Sequence, residues 1–182
     1  FIGVVIVLFI HLFVVYLPLV KLIAKVNIIN FFSGLKQALL FAFSTSSSSA
    51  TIPITLNNLE KSFNVKKKVS SFTVPLGATI NMDGTAIMQG MATIFIANFY
   101  GIELIFTDFL TIILTAALAS IGTAGVPGVG MIMLGMVLNQ VGLPLEGIAI
   151  VMGVDRLLDM LRTSLNVAGD ATVTLLINKL EK

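Results

Sequence analysis

The sequence predicts an all-α polytopic membrane protein built as an inverted repeat, in which a re-entrant helical hairpin followed by an interrupted or polar transmembrane helix occurs twice. Three observations carry that prediction. Of the 182 residues, 57% are hydrophobic and only 11% charged, more apolar surface than a soluble domain of this length can bury, so the bilayer is the solvent. The charges are segregated. Lys21, Lys25, Lys36, Lys61, Lys66, Lys67, Lys68, Lys179 and Lys182 fall near segment ends, whereas Glu103, Asp108 and Glu146 mark two connections without Lys or Arg. By the positive-inside rule the lysine-bearing ends are cytoplasmic and the acidic connections external. Finally, long apolar stretches are broken in their middles by Ser, Thr, Gly and Pro.

Each element follows from that orientation. Residues 1–25 form a first transmembrane helix running inward to Lys21 and Lys25, its apolar part close to the roughly 20 residues that cross a hydrocarbon core. Because it opens on Phe1 with no basic region or cleavage site, it is not a signal peptide, and the chain is expected to be a fragment. Residues 28–62 start and finish among cytoplasmic lysines and so turn back as a first re-entrant hairpin. Its centre, Ser44 through Pro53, is expected to end one helix. Ser or Thr then caps a second, with Pro53 in its first turn. Arms of roughly 10–15 residues would reach only about the bilayer midplane. Residues 69–100 cross outward, interrupted at Asn81-Met82-Asp83-Gly84-Thr85, which is poor helix material. Residues 109–143 repeat the hairpin in inverted orientation around Ser120 through Gly130, with Pro127 able to open the second arm. Residues 147–179 cross inward with polar residues at the centre. Hairpin plus helix, twice and inverted, is the plan of secondary transporters.

Irregular backbone at membrane depth survives only where protein or a polar cavity satisfies it, so the two hairpin tips are expected to meet at a site. Half-helix N-termini there suit an anion, and unwound carbonyls suit a small cation. The last helix supplies the chemistry. Asp155, Asp159, Arg162, Thr163, Asn166 and Asp170 fall within an arc of about 100°. Such a set inside a membrane segment marks a functional site. Arg162 can hold a carboxylate bidentately and Asp159 an ammonium, which together fit a zwitterion with an additional acid group. Asp170 and Asp83 have no basic partner nearby in sequence and are hard oxygen ligands. With the amides of Asn81 and Asn166 they suit an alkali cation better than a transition metal. The absence of Cys excludes disulfides and thiolate metal sites. His11 is read as a packed or cavity-facing residue. Tyr16, Tyr100 and the phenylalanines are read as interface anchors, and Lys66-Lys67-Lys68 as a topology signal. Nothing points to nucleic acid.

Four motifs, Ser47 through Pro53, Asn81 through Thr85, Gly122 through Gly128, and Asp159 through Asp170, stand in one order across the chain. On them the sequence resembles the dicarboxylate/amino acid:cation symporter family, which includes bacterial and archaeal aspartate and glutamate transporters and mammalian excitatory amino acid transporters. The resemblance implies a partial transport domain lacking the N-terminal helices that form the trimer scaffold. It implies an elevator-type symporter of acidic amino acids in a bacterial inner membrane, a homotrimer bathed in lipid, with no cofactor and no enzymatic activity. By the same resemblance Arg162 with Thr85 holds the substrate's side-chain carboxylate, Asp159 its amino group, and Asn166 with Ser48 its α-carboxylate. Thr163 joins this set, and Val126 and Gly130 give backbone contacts. Sodium, with H⁺ as the other coupling ion considered, is assigned to Gly77, Asn81, Asn166 and Asp170, to Asp83 with Asn81, and to Thr79, Met82, Ser120, Ile121 and Thr123. One departure stands out. The places where family members carry a second arginine hold Ser46 and Met160, and Arg156 is the candidate to replace it through an i, i+3 pair with Asp159.

Two rivals define tests. The same machine could carry a neutral amino acid or a plain C4-dicarboxylate, against which Arg162 and Asp159 respectively argue. An intramembrane aspartyl protease would pair Asp83 with Asp155 or Asp170, although the Gly-x-Gly-Asp expected of one is absent, Val167 standing at its first position.

Overall fold

The computed structural model describes residues 1–181, which fold as eight helices with no strand among them. Helix α1 spans Ile2–Ile23. It carries two wide, π-helical turns, Leu12–Tyr16 and Leu19–Ile23, on either side of Pro18, which has no N–H to donate to the regular ladder. Helix α2 (Ile28–Thr45) begins at Asn27, whose side chain accepts from the Ile29 N–H at 2.8 Å. It ends where Ser46 turns left-handed, at φ 53°. Helix α3 (Ser48–Phe63) starts at once, Ser47 capping the Ala50 N–H at 3.1 Å. The two lie side by side, Asn58 donating to the Gly34 carbonyl at 2.8 Å.

Two expectations for this pair are corrected. The polar run does end α2, but only at Thr45, because Ser44 and Thr45 hydrogen-bond back to Leu40 and Phe41 at 2.8 Å and the helix persists through them. The arms therefore have 18 and 16 residues, longer than expected, and by length and composition Ile28–Thr45 is itself sufficient to cross a membrane. Pro53 sits in the second turn of α3, not the first.

The interrupted helix is found as α4 (Lys67–Ile80) and α5 (Asp83–Phe99), with only Asn81 and Met82 between them. Asp83, Gly84 and Thr85 already belong to the first turn of α5. Helix α6 (Phe106–Ile121) opens with the Asp108 carboxylate accepting from the Ile105 N–H at 2.9 Å. After an irregular tip, α7 (Val129–Gln140) begins behind Gly128 at φ +82°, so Pro127 precedes the helix and does not open it. Left-handed backbone at that position favours glycine.

Helix α8 (Ile148–Leu180) runs unbroken for 33 residues, about 50 Å at 1.5 Å per residue. It is the axis of the fold and packs against α1, α2, α3, α4, α5 and α7. At one end the Lys66 N–H donates to Asn178 at 3.0 Å and the Lys66 ammonium to the Glu181 carbonyl at 3.1 Å, so the lysine-bearing ends of α4 and α8 coincide. At the other, Gly147 lies against Ile96 near the end of α5. Large apolar side chains such as Ile2, Phe72, Phe106 and Ile132 cover the exterior, as lipid contact requires. Helices α5 and α8 cross closely, since a Cβ added at Gly84 would stand 2.8 Å from both the Arg162 carbonyl and its Cβ. Gly84→Ala is therefore expected to cost about 1–3 kcal/mol through overpacking, read as a lower thermal midpoint in detergent.

Candidate binding site

The polar face predicted for α8 is buried as a unit. Asp155, Asp159, Arg162, Thr163, Asn166 and Asp170 are all under 9% exposed, and Arg162, at 1%, is the first of the large side chains that the fold encloses completely. Its guanidinium donates from Nη1 to Asp155 Oδ1 at 2.8 Å and from Nε to Asp159 Oδ1 at 3.1 Å. Asp159 also accepts from the Gly128 N–H at 3.2 Å and the Thr163 hydroxyl at 3.4 Å. A carboxylate at the start of α7 is thus held by backbone N–H as well as by arginine.

The two tips meet in front of this face. The Gly125 carbonyl accepts from the Ser49 N–H at 3.0 Å and the Ser47 hydroxyl at 2.8 Å, so the free donors at the start of α3 are used to join the tips. Behind the junction lies a cavity of about 20 Å³, room for roughly one water, lined by Ser46, Ser48, Met82, Thr85, Thr123, Ala124, Gly125, Val126, Gly130, Asp159, Arg162, Thr163 and Asn166. All eight residues predicted for substrate contact are in that wall. Anything larger than water enters only if the tip moves.

A second polar cluster surrounds the break between α4 and α5. Asn81 donates from Nδ2 to Asp170 Oδ1 at 2.9 Å and to the Asn166 carbonyl at 3.3 Å. Asp170 lies against Gly77, where an added Cβ would approach its Oδ1 to 2.5 Å. Gly77, Asn81, Asn166 and Asp170 are therefore neighbours. Asn166 Oδ1 also takes the Gly84 N–H at 2.8 Å, and its Nδ2 faces Met82 Sδ at 3.3 Å. The third predicted group is less compact. Met82 and Thr123 share the cavity wall, but the Thr79 hydroxyl folds back to Leu76, the Ser120 hydroxyl to Ala117 and the Thr123 hydroxyl to Ala119. Ile121 is exposed.

Asp83, with no basic partner nearby in sequence, has two partners distant in it. Its Oδ2 accepts from the Tyr16 hydroxyl at 2.6 Å and lies 3.0 Å from His11 Nε2. Tyr16 is 3% exposed and so is no interface anchor. The π turn explains the pairing. Residues five apart lie about 140° apart on an α-helix, and a wide turn brings them onto one face. Arg156 makes no ion pair with Asp159 among the described residues. Its Nη1 donates instead to Ser46 Oγ at 3.2 Å, because Arg162, Gly128 and Thr163 already occupy Asp159. Gln89 was not singled out by sequence. It is fully buried, donates to the Gly130 carbonyl at 3.2 Å, and leaves its Oε1 without a partner among the described residues.

The profile of the sodium:dicarboxylate symporter family matches residues 1–180. The chain belongs to the sodium:dicarboxylate symporter family. It is 49% identical over 156 residues to an "Excitatory amino acid transporter" of Caenorhabditis elegans, covering 85% of this chain and 31% of that protein. It is 45% identical over 173 residues to "Excitatory amino acid transporter 3" of Mus musculus, covering 95% of this chain and 33% of that one. To "Excitatory amino acid transporter 1" of Homo sapiens it is 48% identical over 164 residues, 90% of this chain and 30% of the relative. The chain spans about a third of the length of these curated relatives.

Membership in a symporter family makes this an integral membrane protein and not an enzyme. The protease reading has no geometric support either, as Asp83 is engaged by Tyr16 and His11, Asp155 by Arg162 and Asp170 by Asn81. Asp155→Ala is expected to destabilise the fold by about 1.5–3 kcal/mol, the worth of a hydrogen bond to a buried charge, measured as the shift in thermal midpoint.

Proposed function

We propose that this chain is the substrate-carrying portion of a sodium-coupled symporter of acidic amino acids. The observation that carries the reading is the buried Arg162, set between two carboxylates in the wall of a cavity closed by two helix tips. An arginine so deeply enclosed in a membrane protein is costly unless matched, and an anionic substrate is a further partner for it. The names of the relatives add support, since they are transporters of excitatory amino acids.

In this reading Arg162 with Thr85 takes the side-chain carboxylate, Asp159 the ammonium, and Asn166 with Ser48 the α-carboxylate. Thr163 orients Asp159, and Val126 and Gly130 give backbone contacts. Binding divides the Asp159–Arg162 pair between the ammonium and the side-chain carboxylate of the substrate, so what is exchanged is one set of ion pairs for another. Sodium is the co-transported cation, held by Gly77, Asn81, Asn166 and Asp170, by Asp83 with Asn81, and by backbone and side-chain oxygens among Thr79, Met82, Ser120, Ile121 and Thr123. Helices α2–α3 and α6–α7 act as re-entrant hairpins 28–62 and 109–143, each followed by a crossing helix, with residues 1–25 as the leading span. The second hairpin opens as the gate, and the domain moves as an elevator against a trimeric scaffold formed by helices outside this chain, within surrounding lipid. The relatives named are animal proteins, so a bacterial inner membrane finds no support in them.

Uptake of labelled aspartate by the intact protein in proteoliposomes, with Na⁺ and H⁺ gradients imposed separately, tests the reading. Sodium-driven uptake is expected, and uptake driven only by H⁺ would refute sodium coupling. Arg162→Ala should weaken aspartate by about 2–5 kcal/mol, tens- to thousands-fold, since a carboxylate is left buried without its partner. Serine, with no second carboxylate, should keep its affinity, and calorimetry in saturating sodium compares the two. Asp170→Asn should flatten the dependence of substrate affinity on sodium while the fold persists, because a buried carboxylate without a basic partner needs a cation to be ionised cheaply. A sodium dependence equal to the parent's would remove Asp170 from the cation site.

A further inference from the structure

Arg156 follows Asp155 directly on α8 and stands one turn before Asp159, on the exposed side of the helix. Its guanidinium nevertheless reaches inward, donating from Nη1 to Ser46 Oγ at 3.2 Å. Ser46 is no surface hydroxyl. It is 2% exposed, it holds the left-handed turn between α2 and α3, where its N–H donates to the Ala42 carbonyl at 2.8 Å, and it lines the same cavity as Asp159 and Arg162. An exposed arginine is therefore tethered to the wall of the candidate substrate site, and no carboxylate lies within 4 Å of it among the described residues.

The charge around the cavity gives that tether its meaning. Asp155 and Asp159 share one guanidinium, that of Arg162, so this cluster carries one negative charge in excess. Asp83 and Asp170 lie in the other cluster, with His11, Tyr16 and Asn81, where co-transported cations would offset them. An acidic amino acid brings a net negative charge of its own, and a negative cavity repels it while leaving a neutral amino acid indifferent.

We infer that Arg156 is a specificity-determining residue of this site, held by Ser46 so that its charge cancels the excess carboxylate and lets an anionic substrate be preferred to a neutral one. This rests on the proposed acidic-substrate reading and deepens it. Arg162 acts by contact, whereas Arg156 acts across several ångströms from an exposed position, so its contribution is screened by salt.

The test uses the intact protein in saturating sodium, with aspartate and serine binding measured by calorimetry at low and high ionic strength set with choline chloride. Arg156→Gln is expected to weaken aspartate about tenfold at low ionic strength and serine by less than about twofold, the gap closing as salt rises. Arg156→Lys, which keeps the charge, is expected to retain the aspartate preference and shows whether the position tolerates change without loss of fold. Equal losses for the two ligands in Arg156→Gln, or no loss for either, would overturn the inference while leaving the acidic-substrate reading intact. A parent protein that binds serine but not aspartate would overturn that reading and the inference with it.

Discussion

A guanidinium with 1% of its surface exposed, deep in a protein whose outside faces lipid, is tolerable only if its charge and its donors are met. Arg162 meets them with Asp155 and Asp159 on its own helix. The rest of the molecule is arranged around that requirement. Helix α8 is unbroken and occupies the axis, because the three residues must keep their i, i+4 and i+7 register. Gly84 is a glycine because the first turn of α5 is pressed against the backbone of Arg162. Gly130 lies against the guanidinium itself, where an added Cβ would stand 3.0 Å from Nη2. Breaking a buried ion pair by removing one partner is far more damaging than never having built it, which makes this cluster a constraint on every helix that touches it.

The second constraint is backbone. Three interruptions lie within a largely apolar protein, and each frees N–H and C=O groups that lipid cannot satisfy. They are satisfied by one another. The Gly125 carbonyl of one tip takes the Ser49 N–H and the Ser47 hydroxyl of the other. The side chain of Asn166 takes the Gly84 N–H at the break between α4 and α5, and Asn81 returns to the Asn166 carbonyl. These are hydrogen bonds between elements, so opening the site means exchanging them for contacts with ligand or water. Tips joined in this way can part by such an exchange, whereas tips joined by an apolar seal would have to expose that seal to water.

The surroundings of Asp83 show how a local irregularity in one helix changes the chemistry of another. Without its π turn, α1 would direct His11 and Tyr16 to different neighbours. With it, both reach one oxygen of Asp83, and their rings meet edge to face at 4.8 Å. Asp83 is thereby fixed in orientation, and Tyr16 stands close to Gly169 as well, where an added Cβ would collide with its hydroxyl.

Much of the architecture was legible in the sequence for reasons that are local. The break at Asn81-Met82, the polar face of α8 and the segregation of lysine from the acidic connections are properties of spacing and composition. The structure has the break and the buried face and gathers the lysine-bearing ends of α4 and α8 together. Helix lengths were legible less well, since whether Ser44 and Thr45 end α2 or continue it depends on hydroxyl bonds back to the preceding turn, and serine forms either. What the sequence alone could not decide was partnership. Asp83 meets His11 and Tyr16 across 72 and 67 residues. Arg156 meets Ser46 across 110 residues rather than Asp159 across three, although only the pairing with Asp159 is one that helical spacing offers. The residue types and their periods determined that this is a membrane bundle with a charged site. Only the tertiary packing, by filling the valences of Asp159 from Arg162, Gly128 and Thr163, decided which charge faces which, because a hydrogen-bonding partner is chosen by what else competes for it in space.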